Sequence, residues 1–274
     1  MVGPESAERS AAGVVVGVHR VATADPPVRW AADEARRRHL PLTLVHAWRE
    51  HLDIEVTLSA DALPDLDGPV EARAAHGRAA AVLLGYPADL LVLGAHSGTL
   101  HLRHVTRLCL HQATCPVVVV PEADRPPVGR IVVGVDGADT SREALLWAAE
   151  AAALRGVTLT VVQAWQVRPH SPTDVLHPRS AVPTQQAAAQ GRLRSWAESV
   201  VADTSAIDFY TPHGAPLDML LDCAADADLV VIGRRSHSGL RRVLHGAAGD
   251  SLSALAPCPV AVVPTTARHA KRPV

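Results

Sequence analysis

The strongest constraint on the fold of this chain is that its sequence is written twice. VVVGV at 14–18 returns as IVVGV at 131–135, and the same offset of 117 carries Trp30 onto Trp147 and Ala47-Trp48 onto Ala164-Trp165. The offset then drifts: His76-Gly77 matches His213-Gly214 at 137, Ala88-Asp89-Leu90 matches Ala227-Asp228-Leu229 at 139, and Cys115-Pro116 matches Cys258-Pro259 at 143. The first copy is therefore shorter by 20 residues between its second and third strands and by six more after them. Self-similarity on this scale means two folded domains. They are expected at 11–121 and 129–265, with a linker at 122–128 and a basic tail at 266–274.

Within each copy, short β-branched runs alternate with Ala/Leu-rich stretches of helical period, the pattern of a parallel sheet covered by helices. In the second copy the strands are expected at 130–135, 158–164, 206–210, 228–232 and 259–263. The first helix of that copy should start near Thr140, with Glu143 completing a capping box, and its counterpart near Asp25 with Pro26 in the first turn. A later helix should open after Gly214 with Pro216, and another at Gly246. Five strands joined by right-handed crossovers make each copy an α/β, Rossmann-like domain, whose ligands bind beyond the carboxyl ends of the strands.

Composition removes several function classes. Aromatic residues are 3% of the chain, which leaves little for stacking single-stranded bases, and 26 Lys+Arg against 28 Asp+Glu is too balanced for a polyanion-binding surface. No nucleic-acid partner is expected. No run approaches the roughly 18 apolar residues of a membrane span, and the first residues carry no secretory pattern. Cys109, Cys115, Cys223 and Cys258 form no CxxC pair and read as buried thiols of a reducing compartment, so the expected location is cytoplasmic. There is no GxSxG, HExxH or Walker loop, hence no expected catalytic residue and no serine hydrolase, metalloprotease or P-loop chemistry.

The second copy carries the chemistry that remains. Asp136 follows the first strand in VGVDG, and the fourth strand runs up to Gly233, followed by RRSHSGLRRVLHGAAGDS. Gly246 lies 13 residues after Gly233 and opens a helix, and the loop between them holds arginines and histidines without a carboxylate. Glycine lets a backbone approach phosphate, and a helix start favours an anion. Two plainer readings stand beside this one: an Arg-rich loop can be a solvated surface, and an aspartate after a first strand can cap the next helix.

The tandem VGVDG, ADLVVIG, Gly-rich loop and terminal CPVAVVP resemble the universal stress protein family over nearly the whole chain, twice. The resemblance implies Rossmann-like (adenine nucleotide alpha hydrolase-like) domains pairing through their last strands, here 117–120 and 260–263, as an intrachain pseudo-dimer, with homodimers as a further option. Many members bind ATP or AMP through G-x2-G-x9-G-[S/T], and others lack the motif. Carried onto this sequence, Val135 and Asp136 would face the nucleoside, the backbone at Ala164 the adenine, and Gly233 and Gly246 the phosphates, with Mg accompanying ATP. Ser236 stands where the second glycine is expected and Ala247 where Ser/Thr is expected. A serine at positive φ costs about 1–2 kcal/mol and a lost hydroxyl bond about 0.5–1.5 kcal/mol. Together they weaken binding about 30- to 150-fold. Arg235, Ser238 and Gly239 are the replacement donors in this loop.

The first copy has lost more. His19 replaces the aspartate, Arg20 the glycine after it and Ser97 the second glycine, and Arg103 and His104 stand where the third glycine would be. It is expected to be a structural or partner-binding half. His96, His101, His104 and His111 cluster there. With no carboxylate or cysteine at ligand spacing they read as a weakly basic face and not as a metal site. Trp30 and Trp147 read as core anchors. The expected function is a stress-response sensor or interaction module with weak ATP or AMP binding in the second domain only. The alternatives are a ligand-free scaffold and a slow ATPase or phosphotransfer protein.

Overall fold

The computed structural model describes residues 12–18, 25–48, 70–95, 100–165, 178–234 and 246–265. The chain divides into two compact units, Met1–Glu122 and Ala123–Val274. The first contains β1 (Gly13–Gly17), α1 (Pro26–Arg38), β2 (Leu42–Trp48), β3 (Val70–His76), α2 (Ala79–Gly85), β4 (Ala88–Gly94), α3 (Leu100–Gln112) and β5 (Val117–Val120). The second contains β6 (Arg130–Gly134), α4 (Asp139–Arg155), β7 (Thr158–Val162), α5 (Pro178–Glu198), β8 (Ile207–Tyr210), α6 (Pro216–Ala224), β9 (Leu229–Arg234), α7 (Gly246–Leu255) and β10 (Val260–Pro264). Strand order is β3-β2-β1-β4-β5 in the first unit and β8-β7-β6-β9-β10 in the second, and the strand pairs within each unit are parallel. Each unit is thus the expected five-stranded Rossmann-like α/β sheet, and the strand order reverses between β1 and β4 and between β6 and β9. That reversal is where such sheets open a crevice.

The central strands are apolar on both faces because helices cover both. Val14–Val16, Leu90–Leu93, Ile131–Val133 and Leu229–Val231 are at most 4% exposed. The outer strand β8 instead alternates, with Asp208 and Tyr210 exposed, as expected of a strand covered on one face. α4 turns Ala144, Leu145, Ala148, Ala151 and Ala152 inward, small side chains that let a helix sit close to the sheet. The glycine common to both VGV motifs has a packing cause. A Cβ on Gly134 would lie 2.9 Å from Leu220 of α6, and one on Gly17 would lie 3.0 Å from Leu93 and 3.1 Å from Leu83 of α2.

Two local expectations are corrected, the N-cap of α4 and the end of β9. α4 begins at Asp139, one residue before the expected Thr140, with Ala138 and not Thr140 as N-cap and no side-chain cap bond. As expected, Asp25 is the N-cap of α1 and Pro26 sits in the first turn; the Asp25 backbone oxygen accepts from Val28 and Arg29 at 3.0 and 3.1 Å, with no side-chain cap bond. β9 runs on through Gly233 to Arg234, since pairing with β10 continues to Pro264.

The segment expected as linker, 122–128, is tied to the second unit through Arg125 and Val128. The Arg125 guanidinium donates to the carbonyl oxygens of Ala224 and Ala225 at 3.4 and 2.5 Å, satisfying acceptors that the end of α6 leaves open. The Asp228 carboxylate accepts from the backbone N–H of Val128, Gly129 and Arg130 at 2.6, 2.8 and 3.0 Å. The aspartate of the ADL motif therefore fixes the entry into β6.

Candidate functional site

The site is built at the carboxyl ends of β6, β7 and β9, where the strand order reverses. Val135 continues β6, donating its N–H to Val162 at 2.9 Å, and its side chain is buried. Asp136 follows and is exposed. Its Oδ1 accepts from the Ser141 hydroxyl at 2.5 Å and from the Ala138 N–H at 3.0 Å, while its own N–H donates to Ser141 Oγ at 3.1 Å. This reciprocal pair ties the strand end to the first turn of α4, and a carboxylate there also complements the helix dipole. The turn needs Gly137, whose φ is +78°. Asp136 thus braces the turn before α4 through Ala138 and Ser141, while Ala138 is the N-cap and no side chain caps the helix.

Beside it, Gln163 and Trp165 donate backbone N–H groups to Tyr210 and Pro212 at 3.1 and 3.0 Å. With those groups spent toward β8, strand alternation aims the N–H and C=O of Ala164 back toward β6. Gly233 lies in β9, paired with Val263, and Gly246 and Ala247 are the first two residues of α7. The first N–H groups of a helix have no partner within it. Val135, Asp136, Ala164 and Gly233 thus share one edge of the sheet. Arg235, Ser236, Ser238 and Gly239 lie outside the described residues, as do His19, Arg20, His96 and Ser97.

A pair of side chains at this edge was not singled out from sequence. The Trp165 indole packs edge-on against His213, with centroids 4.9 Å apart at 70°, and Trp48 does the same against His76 at 4.7 Å and 68°. The backbone locks each pair, with Gly214 donating to Trp165 O at 3.0 Å and Gly77 to Trp48 O at 2.9 Å. These glycines have φ of +154° and +150°, and the Trp165 indole N–H donates to Thr211 O at 3.0 Å. The available signal was that both Ala-Trp and His-Gly survive in the two copies.

In the first unit His46 takes the place of Gln163, with Nδ1 3.0 Å from Val18 O. His104 is exposed and His111 half-exposed, and among the described residues no group of three or more His, Cys, Asp or Glu could hold a metal ion. Trp147 is buried as expected, whereas Trp30 is only half-buried. Burial pushes the Cys109 thiol up to about 12, with Cys115 adding to the effect, and pushes Cys258 up to about 11. Cys115 and Cys223 are half-buried, and none of the four cysteines is in a disulfide. No helix among the described residues is long and apolar enough to cross a membrane.

A sequence profile of the Universal stress protein family matches residues 127–264. A universal stress protein of Mycobacterium tuberculosis is 31% identical over 94% of this chain and 98% of its own length. One from Mycolicibacterium smegmatis is 27% identical over 92% and 96%. Among solved structures, a universal stress protein from Archaeoglobus fulgidus covers 92% of this chain and 96% of its own, with TM-score 0.63 at 14% identity. A functionally unknown protein from Pseudomonas aeruginosa covers 95% of each chain, with TM-score 0.67 at 18% identity.

Proposed function

The chain belongs to the universal stress protein family, and on that premise we propose that it is a stress-response module whose second unit binds ATP or AMP weakly and whose first unit does not. The observation that carries this reading is the convergence of Val135, Asp136, Ala164 and Gly233 on the crevice edge of one sheet, together with the α7 start at Gly246. The donor set suits an adenine nucleotide. The peptide of Ala164 offers one donor and one acceptor to a base edge, the first turn of α7 offers N–H groups to phosphate, and Asp136 offers a carboxylate to ribose hydroxyls or to Mg.

The module acts by binding and not by turnover. Occupancy would alter its protein partners, and its place of work would be the cytoplasm. The same reading joins the two units as an intrachain pseudo-dimer through 117–120 and 260–263, runs of β-branched residues and alanine without a charge. A second unit expressed alone is then expected to self-associate, and a folded, strictly monomeric fragment counts against it.

The second reading is a ligand-free scaffold. The observation favouring it is that Asp136 Oδ1 is already engaged by Ser141 and Ala138. Calorimetry and thermal shift with ATP and AMP, with and without Mg, separate the two readings. Ligand at 100 times its Kd should stabilise the binding unit by about 2.7 kcal/mol, and Gly246→Asp should abolish the shift. A wild-type protein unmoved by millimolar ATP and AMP would leave the scaffold reading.

A further inference from the structure

The position just before Ala164 carries different chemistry in the two units. Gln163 and His46 are equivalent in the repeat, and each side chain reaches from the end of β7 or β2 toward the end of β6 or β1. In the first unit His46 Nδ1 lies 3.0 Å from Val18 O. A carbonyl only accepts, so the ring is spent as a donor on its own strand end. In the second unit Gln163 Nε2 lies 3.6 Å from where a Cβ on Gly137 would sit, which puts the carboxamide beside the turn that follows Asp136. Its main chain is fixed by the N–H donated to Tyr210 O at 3.1 Å. Its side chain is half-buried, and among the described residues the carboxamide makes no hydrogen bond.

An amide in that place offers a donor and an acceptor side by side, the pair that matches N7 and the N6 amino group of adenine. That amino group carries two hydrogens. With N1 and one N6 hydrogen on the Ala164 peptide, N7 and the other hydrogen are left for a neighbouring side chain. Guanine presents acceptors at both O6 and N7, so an amide turned either way sets its own oxygen against one of them.

We propose that Gln163 is the base-specificity residue of the second unit, its carboxamide pairing with the N6/N7 edge of adenine while the Ala164 peptide takes the N1/N6 edge. The inference rests on the nucleotide reading of this site and adds to it the side chain that tells adenine from other bases. A site built to pair with a polar edge rejects an analogue that lacks it, because the protein's own groups are then left unpaired. The first unit has no such reader, since the His46 ring is turned to Val18 O.

The test is calorimetric titration of the full chain with ATP, 7-deaza-ATP and GTP, for wild type, Gln163→Ala and Gln163→Leu. The backbone bond from residue 163 to Tyr210 does not depend on the side chain, and circular dichroism and melting confirm that each variant is folded. Wild type is expected to bind ATP about three- to tenfold more tightly than 7-deaza-ATP, which keeps N6 and lacks N7. Both variants should bind these two nucleotides alike, and their preference for ATP over GTP should narrow about tenfold. Equal wild-type affinity for ATP and 7-deaza-ATP overturns the assignment of Gln163, as does a difference between them that persists in both variants, and either result leaves the nucleotide reading standing. A wild type that binds none of the three overturns both.

Discussion

Removing the Asp228 carboxylate tests how the second unit is closed at the end of the sheet remote from the ligand crevice. Oδ1 accepts from Val128, and Oδ2 accepts from Gly129 and Arg130. A hydrogen bond to a charged group contributes about 1.5–3 kcal/mol when sheltered. Here the donors at Val128 and Gly129 are exposed and can turn to water, so most of the loss falls on the half-buried Arg130 N–H. Asp228→Ala is therefore expected to cost about 2–3 kcal/mol, a fall of about 5–10 °C in the melting temperature of a unit this size. Asp228→Asn keeps one oxygen for Gly129 and Arg130 but turns an amide N–H toward Val128, and should cost about half as much. Urea denaturation followed by circular dichroism measures both, and hydrogen exchange of the 125–134 segment should quicken in the same order. The exposed Asp208→Ala on β8 is the control, within about 0.5 kcal/mol of wild type. If Ala and Asn at 228 both stay within about 0.3 kcal/mol of wild type, the clamp does not hold the unit together.

The buried Ser253 hydroxyl on α7 has no hydrogen-bond partner among the described residues, and its repeat counterpart is Leu110, so Ser253→Ala should leave stability unchanged or raise it by up to about 1 kcal/mol, as read by denaturant midpoint. With the Cys109 and Cys258 thiols pushed up to about 12 and 11, native protein at pH 8 should be alkylated at Cys115 before either of them, which peptide mass mapping can score. The same shifts set a pH dependence. The folded thiols hold their protons where unfolded thiols, near pH 9, release theirs, so this stability is complete below pH 9 and is lost as pH rises from 9 toward 11–12. Melting temperatures measured across that range should fall.

How much of this was legible beforehand depended on how local each cause is. The strands of the second unit lie within two residues of their expected ends, because alternation and β-branched runs are properties of a few neighbouring residues. The start of α4 was legible to within one residue but its N-cap was not, because Thr140 and Glu143 made a plausible box on spacing alone. The real partner of Ser141 is Asp136, five residues back across a glycine turn with φ of +78°. The candidate site was legible as a set of strand ends and glycines. The Trp165–His213 pair was not, since its members are 48 positions apart in the sequence and meet only when β7 and β8 align.

The sequence by itself determined that there are two α/β halves, where their strands run, and which half has lost the aspartate and glycines of a nucleotide crevice, because repetition and periodicity are written along the chain. Only the tertiary structure decided which polar groups serve the fold and which face outward. Asp228 became a clamp because β9 starts beside β6, and Asp136 became a brace for Ser141 because the first turn of α4 lies beside the strand end. Glu34 of α1 is fully buried with Arg38 Nε at 2.5 Å, while the repeat places Ala151 at the same point in the other half. A charge can be left out of water only where a partner is placed beside it, and that placement comes from packing between distant segments, which periodicity does not encode.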